Sequence, residues 1–165
     1  MPQRLFTFCI RSARPADLAA VESLLSTNNL PVAGVHEAFD DFFVAEGDRP
    51  NVHPLQVVGA IGLERFGRQA LLRSAVLADE WRGWGLGRQL VDELVEYARS
   101  AGIDELYLLT TTAEPFFTQR GFMRIDRADV PASVRASVEF TSGCPDTAVA
   151  MKRVVNATAA QKPAR

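Results

Sequence analysis

The chain has 165 residues, of which 47% are hydrophobic and 23% are charged, and its formal net charge at pH 7 is −2. This length and composition indicate one globular domain whose core needs no disulfide or metal to hold it together. The mildly acidic balance argues against a nucleic-acid partner, and no apolar run reaches the ~18 residues that would span a membrane. Two cysteines predict a reducing, cytoplasmic location, and two histidines argue against a zinc cluster.

Hydrophobic periodicity predicts an alternation of strands and helices in the first half of the chain. The links between the predicted strands are too short for parallel crossovers, so we expect an antiparallel meander. In chain order we expect a strand at 5–13, a helix at 14–28, a short helix at 35–41, a strand at 42–46, a turn at 47–54, and strands at 55–65 and 70–77.

The second half is expected to contain one crossover unit. The strand at 70–78, the helix at 86–101 and the strand at 105–112 have the length of a parallel crossover, so those two strands should be parallel neighbours. The remaining elements are expected to be a helix at 113–120, a strand at 122–128, a helix at 130–140 and a strand at 146–155. We expect residues 1–155 to form a single α/β domain and residues 156–165 to be a flexible tail.

The segment that joins the predicted strand to the central helix is rich in glycine, with the sequence Arg82-Gly83-Trp84-Gly85-Leu86-Gly87. Alternating glycines let the backbone approach a ligand, and the free N–H groups of a helix N-terminus favour a phosphate or pyrophosphate. Dinucleotide-binding and nucleoside-triphosphate patterns both fail, because Arg88 stands where the former needs glycine and the latter needs lysine. On these six residues alone, a glycine-rich turn without a ligand remains the alternative.

Two motifs resemble the GCN5-related N-acetyltransferases (GNAT) over residues 5–155. Arg82, Gly85 and Gly87 match the pattern Arg/Gln-x-x-Gly-x-Gly/Ala of their coenzyme A loop. Ala113, Phe117 and Gly121-Phe122 match a second pattern of the family downstream, in which an alanine is followed by an aromatic residue four positions before Gly-Phe. The resemblance implies a mixed, mostly antiparallel sheet with one splayed parallel strand pair and flanking helices. Further segments resemble the acetyltransferases of arsenic-resistance operons, namely 71–74, 108–113, 116–117, 121–122 and 144–145.

The resemblance also implies where acetyl-CoA binds as cosubstrate, without a metal. Backbone groups near Leu77 would pair with the pantetheine arm and steady the oxyanion, and N–H groups from Gly83 to Arg88 would hold the pyrophosphate. Trp84 would pack on the adenine or on the protein surface. The residues assigned to acetyl-CoA are Val76, Leu77, Arg82, Gly83, Trp84, Gly85, Leu86, Gly87, Arg88, Thr112 and Phe117.

The acid and the base of the reaction are the points at which the chain departs from this pattern. Phe117 stands where the family often has a tyrosine that protonates the departing thiolate, so that acid is missing. A threonine at 110–112 could supply a hydrogen bond, or the threonines could simply end a strand. Glu37 and Glu64 are the candidates for the base, and the alternative for each is a solvated surface carboxylate.

Arg73 is unusual because it interrupts an apolar run. Strand alternation would place it with Leu71 and Ala75 on one face. A buried guanidinium selects planar anions, so Arg73, Ser74 and Glu37 are assigned to a small amine that also carries a carboxylate. An internal ion pair or a solvent-directed head group is the alternative for Arg73. Cys144 is expected to be a packed cysteine in a turn.

The function indicated by these residues is acetyl transfer from acetyl-CoA to the amine of a small, amino-acid-like molecule by direct attack. The resemblance to the acetyltransferases of arsenic-resistance operons implies a role in detoxification or arsenic resistance. Transfer to a protein N-terminus or lysine is an alternative among enzymes. A module that binds acyl-CoA as a sensor without turnover is the alternative of another class. A homodimer is compatible with the sequence.

Overall fold

A computed structural model describes residues 7–49 and 52–156 of the chain. Within them the frame is a seven-stranded sheet with the strand order β1-β2-β3-β4-β5-β7-β6. The strands are β1 (Thr7–Ser12), β2 (Phe42–Arg49), β3 (Val52–Phe66), β4 (Gln69–Leu77), β5 (Glu105–Thr110), β6 (Met123–Ile125) and β7 (Val149–Val154). The parts of the predictions that concern 1–6, 50–51 and 157–165 lie outside the described residues.

Helices connect and flank the strands. They are α1 (Leu18–Thr27), α2 (Val35–Ala38), α3 (Leu86–Ser100), α4 (Glu114–Gln119) and α5 (Ala132–Arg135), followed by a π-helical turn at Glu139–Gly143. The apolar residues of α3 recur at helical spacing and are buried, as their periodicity predicts. No helix among the described residues is long and apolar enough to cross a membrane.

The strands pair as the short connections predict. Strands β1 to β4 form an antiparallel meander, and β5 pairs antiparallel with β7. Strands β4 and β5, which α3 connects, are parallel. The predicted fold class is therefore confirmed as a mixed α/β fold with a mostly antiparallel sheet, one parallel pair and flanking helices.

The parallel pair is short, and this creates the cleft of the molecule. The ladder between β4 and β5 joins Gln69 to Glu105, Ala70 to Leu106 and Leu71 to Tyr107. Beyond Leu71 and Tyr107 the two strands continue without pairing to each other, so the sheet opens into a wedge. Backbone N–H and C=O groups along an open strand edge can pair with an extended ligand.

A β-bulge in β4 changes which side chains share a face. Gly62 lies opposite Arg73 and Ala60 lies opposite Val76, so two residues of β4 oppose Ile61 alone. One of them, Ser74, has a φ of 59°. The predicted alternation is therefore wrong after Arg73: Ala75 is exposed, whereas Val76 packs in the same apolar cluster as its partner Ala60.

Apolar side chains cover both faces of the sheet. One core cluster packs α3 against β2 and β3 through Leu94, Ala45 and Ile61, among others. A second packs α1 and α2 against the residues that alternate with these, Val44 and Ala60. Because neighbouring strand residues point to opposite faces, the helices lie on both sides of the sheet.

Several predicted boundaries differ from the observed ones. Strands β2 and β3 continue into the predicted turn at 47–54, and the predicted helix at 130–140 is a four-residue helix followed by a separate π-helical turn. The strand expected at 122–128 ends at Ile125. Asn156, the first residue of the predicted tail, is held in place, because its side chain donates hydrogen bonds to the carbonyls of Arg99 and Ile103 at 3.1 and 2.9 Å.

Candidate active site

The wedge between β4 and β5 encloses a cleft of about 550 Å³. Its walls are mainly apolar, with β4 on one side and the end of β5 together with α4 on the other. Among the residues that line it, the charged ones are Arg73, Arg82 and Glu139. A volume of this size and an apolar lining with a few polar groups are typical of sites for small ligands.

The glycine loop, residues 82–87, leads from the cleft into α3. Gly83 and Gly85 have φ angles of 83° and 80°, which favour glycine, and Gly85 is the N-cap residue directly before α3. The N–H of Gln89 donates to the carbonyl of Gly85 at 3.2 Å, so the N–H groups of the first helical turn before it have no intrahelical acceptor. They are available to an anion.

Gly87 is the point where this loop meets the cleft. A Cβ atom on Gly87 would lie 3.4 Å from Leu77 Cδ1 and 3.6 Å from Phe116 Cζ, in space that belongs to the cleft. The missing side chain therefore leaves room for a ligand against the helix backbone. The open edge of β4 and the free N–H groups of α3 together fit the pantetheine arm and the pyrophosphate of acetyl-CoA.

The other residues assigned to acetyl-CoA occupy three kinds of position. Val76, Leu77, Arg82, Thr112 and Phe117 line the cleft. Gly83, Trp84, Gly85 and Arg88 are exposed beside it, and Leu86 is fully buried, so its side chain serves the core. Arg82 donates to Asn28 Oδ1 at 3.2 Å, which connects the glycine loop to the segment after α1. Their contacts with acetyl-CoA stay predictions.

Phe117 is both a wall of the cleft and a core residue. It is buried, and its ring meets those of Phe116 and Phe122 edge to face, with centroid distances of 5.1 and 5.6 Å. The threonines after β5 have separate roles: Thr110 is buried and accepts a hydrogen bond from Ala113 N–H at 2.9 Å, whereas Thr112 is exposed. Thr110 therefore fixes the start of α4.

Arg73 is paired inside the protein, which is the alternative considered from the sequence. Its side chain is fully buried. Nη1 donates to Glu64 at 3.1 Å and Nη2 lies 2.9 Å from Glu139. Nη2 also donates to the Ala33 carbonyl at 2.6 Å, and Nε donates to Ser74 Oγ at 3.2 Å. With these donors engaged, Arg73 has no free fork for a substrate carboxylate, and that assignment is corrected.

Around Arg73 lies a polar cluster made up of Glu64, Arg73, Ser137, Glu139 and Cys144. Ser137 Oγ donates to Glu64 at 2.9 Å, and the Cys144 thiol donates to Glu139 Oε2 at 2.9 Å. Burial, and then the hydrogen bond to Glu139, raise the pKa of Cys144 to about 12. The thiol is therefore neutral at physiological pH, consistent with a packed cysteine rather than a nucleophile.

The carboxylate that lines the cleft differs from the two that the sequence indicated. Glu37 is exposed on α2 and is not among the residues that line the cleft, so it does not face the acceptor as expected. Glu64 belongs to the polar cluster but does not line the cleft either. Glu139 does, and it was missed. The signal for it was indirect: an arginine buried in a strand requires a carboxylate partner from elsewhere.

The described residues show no group of three or more His, Cys, Asp or Glu side chains that could hold a metal ion.

Comparison with known sequences places the chain in a family. An acetyltransferase (GNAT) domain matches residues 38–124. An amino-acid acetyltransferase of Mycobacterium tuberculosis is 30% identical over 134 residues, which are 76% of this chain and 74% of that protein. An uncharacterised N-acetyltransferase of Chlorobaculum tepidum is 27% identical over 134 residues, which are 76% of this chain and 82% of that one.

Solved structures agree with this result. Rv2747 from M. tuberculosis, crystallised in a complex that contains CoA, matches with a TM-score of 0.71 and 25% identity over 88% of this chain and 98% of its own. N-acetylglutamate synthase from Neisseria gonorrhoeae has the same fold, with a TM-score of 0.74 at 18% identity. The match covers 91% of this chain and 35% of that synthase. The chain therefore belongs to the GNAT acetyltransferases, and it is an acetyl-CoA-dependent N-acetyltransferase.

Proposed function

We propose that this N-acetyltransferase acetylates the amine of a small, amino-acid-like molecule. The observation that carries the proposal is the cleft of about 550 Å³, which ends in the polar cluster and has the size of a small-ligand site. Along β4, Arg73 lies four residues before Leu77, or roughly 12 Å away at the usual strand rise. The cleft therefore extends well past Gly87, which Leu77 approaches.

The charge at this end of the cleft suits an amine. Glu64 and Glu139 both pair with Arg73, so the three side chains carry one formal negative charge in excess. A carboxylate that is only partly neutralised attracts an ammonium group. The amino-acid acetyltransferase of M. tuberculosis, 30% identical to this chain, supports an acceptor that carries an amine on a small carbon frame.

The chain contributes binding and orientation to the transfer. Acetyl-CoA supplies an activated acyl thioester when it is bound. The N–H groups at the start of α3 would hold its pyrophosphate, and the open edge of β4 near Leu77 would orient its arm and polarise the acyl carbonyl. Phe117 cannot donate a proton. A thiol with a pKa near ~8.5 departs as thiolate without one, so a missing acid is compatible with turnover.

The finer predictions stay predictions at this point. They comprise the resemblance to acetyltransferases of arsenic-resistance operons, a cytoplasmic location, a homodimer, and a single domain at 1–155. The acceptor proposal does not depend on any of them, because it rests on the cleft and its charges.

A coenzyme A release assay with a panel of acceptors tests the proposal. The panel contains the standard amino acids, their methyl esters, simple primary amines and a peptide with a free N-terminus. N-acetylated amino acids are the matched blocked control. We expect release of coenzyme A with one or more amino acids or close analogues, and mass spectrometry should find the product 42 Da heavier, the mass of an added acetyl group. Turnover of the peptide alone would refute the proposed acceptor class.

A further inference from the structure

We propose that Glu139 binds the amine of the acceptor and takes its proton as the new bond forms. This inference rests on the proposed function, because it names the group of the same site that handles the amine. It rests on the position of Glu139 in the cleft, on its hydrogen bonds and on the geometry of the neighbouring carboxylates.

Glu139 is the carboxylate residue among those that line the cleft, and it is buried with 6% of its surface exposed. One carboxylate oxygen, Oε1, lies 2.9 Å from Arg73 Nη2, and the other, Oε2, accepts a hydrogen bond from Cys144 at 2.9 Å. An ionised carboxylate has about four acceptor positions, so these two contacts leave capacity for an amine. A buried carboxylate that retains acceptor capacity in a ligand cleft is suited to bind a substrate proton.

The neighbouring groups do not fit this role. Glu64 accepts both Arg73 Nη1 and Ser137 Oγ on one oxygen, at 3.1 and 2.9 Å, and lies outside the cleft wall. Glu37 is exposed on α2. The Cys144 thiol donates a hydrogen bond to Glu139, so it orients the carboxylate and does not compete with it as a base.

Arg73 and Cys144 are the positioning residues of this arrangement. Each holds one oxygen of Glu139, so the carboxylate plane is fixed before a substrate arrives. Arg73 is held in turn by the Ala33 carbonyl and by Glu64. Arg127 adds a further positive charge beside the residues that follow Cys144, because its guanidinium donates hydrogen bonds to the carbonyls of Pro145 and Ala148.

A carboxylate is a weaker base than an amine, and a weak base is sufficient here. The acceptor first loses one proton to solvent to become a neutral amine. Its nitrogen then bonds to the acyl carbon, the carbon–sulfur bond breaks, and the electron pair leaves on sulfur. The nitrogen becomes strongly acidic as it bonds to carbon, and its extra proton passes to Glu139. Glu139 returns that proton to solvent, and the thiolate takes another from water.

The decisive comparison is between Glu139→Gln and Glu64→Gln. Both substitutions remove one carboxylate from Arg73 and preserve the size of the side chain, but Glu139 lines the cleft and Glu64 does not. We expect Glu139→Gln to lower kcat by roughly 10²- to 10⁴-fold, the usual contribution of a general base. Glu64→Gln should lower kcat at least about tenfold less than Glu139→Gln does, because Glu64 does not line the cleft. Acetyl-CoA affinity should change less than about threefold in both, because neither residue belongs to the glycine loop.

Equal losses in the two variants would overturn the proposal, since they would show that only the neutralisation of Arg73 matters. If Glu139→Gln does not fold, Glu139→Asp keeps the charge and withdraws it by one methylene. It should fold and still lose at least about tenfold in kcat. A fully active Glu139→Asp would overturn the role.

The failure of the acceptor class can be told apart from the failure of Glu139. If only the peptide is acetylated, the proposed function fails, and the same comparison of variants is made with the peptide as acceptor. If no amine in the panel reacts, slow hydrolysis of acetyl-CoA is measured with water as the nucleophile. Faster hydrolysis by the wild type than by Glu139→Gln supports Glu139 as the base, and equal rates overturn it.

Discussion

Replacement of Gly87 by alanine should separate folding stability from cosubstrate binding. Gly87 is in the first turn of α3 with an ordinary helical backbone, and the nearest atoms to an added Cβ are at 3.4 and 3.6 Å. The methyl group therefore fits the protein without a clash. Because alanine favours a helix over glycine, we expect the free energy of unfolding to rise by about 0.5 kcal/mol.

The same methyl group should weaken the binding of acetyl-CoA. It would stand in the cleft between Leu77 and Phe116, where the ligand must approach the N–H groups of α3. Loss of one hydrogen bond to a charged phosphate oxygen costs about 1.5–3 kcal/mol. The dissociation constant should therefore rise by roughly 10- to 100-fold.

Calorimetric titration with coenzyme A and urea unfolding measure the two effects on the same preparations. Gly85→Ala is the matched control for the unfolding measurement, because Gly85 has a φ of 80° and open space around it. An alanine there is strained, so the free energy of unfolding should fall by roughly 1–2 kcal/mol. A well-folded Gly87→Ala with unchanged affinity for coenzyme A would refute the assignment of the glycine loop to the pyrophosphate.

Three further predictions concern single side chains. The Asp17 carboxylate accepts hydrogen bonds from Arg11 at 2.7 and 2.9 Å, and these bonds lower the pKa of Asp17 below 3.8. Asp17→Asn should therefore lower the free energy of unfolding at pH 7 by about 2 kcal/mol. This stabilisation is present above pH ~4 and disappears as the pH falls through the folded pKa, so urea titrations of both proteins should converge in acid. The pKa of Cys144 is about 12, so in a Cys9→Ser background iodoacetamide should alkylate Cys144 roughly a thousandfold more slowly at pH 8 than an ordinary thiol. Fast modification of Cys144, detected by mass spectrometry, would contradict its burial. Phe117→Tyr should leave kcat within about threefold, since thiolate departs without an acid, and a gain above tenfold would show that the missing acid limits the reaction.

The strands of the sheet and the glycine-rich start of α3 could be predicted because their signals are local. Residues 82–87 carry the loop pattern within six positions, and the helix behind them shows its apolar face at regular spacing. Short connections predict the antiparallel meander, and the one long connection predicts the parallel pair. Each of these inferences needs only neighbouring residues.

The bulge in β4 could not be predicted in the same way. Strand alternation assumes one residue opposite one residue, and nothing in 69–77 shows that Ser74 takes a φ of 59°. The bulge is defined by the pairing with β3, where Ile61 alone lies opposite two residues of β4. The position of the bulge is set by pairing between strands and not by the local sequence, so the faces predicted for Ala75 and Val76 were wrong.

The acceptor end of the cleft is assembled from distant parts of the chain. Glu64, Arg73, Glu139 and the Ala33 carbonyl come from four separate segments and meet only in the folded protein. A sequence without its fold shows that Arg73 needs partners, but not which of the 20 acidic residues provides them. Glu139 was hidden within a segment expected to be an ordinary helix.

These two ends of one cleft should consequently respond to different substitutions. The cosubstrate end relies on the backbone of a contiguous loop, so only changes that fill or strain that backbone should affect it. The acceptor end relies on side chains held by one buried guanidinium, so a change in Arg73 itself should alter the position of Glu139. Substitutions in the polar cluster can then change acceptor preference while acetyl-CoA binding is preserved. One contiguous loop forms the cosubstrate end, whereas residues from distant segments form the acceptor end. We therefore expect changes of acceptor to need substitutions in the polar cluster, and the effects of such substitutions to be coupled through Arg73.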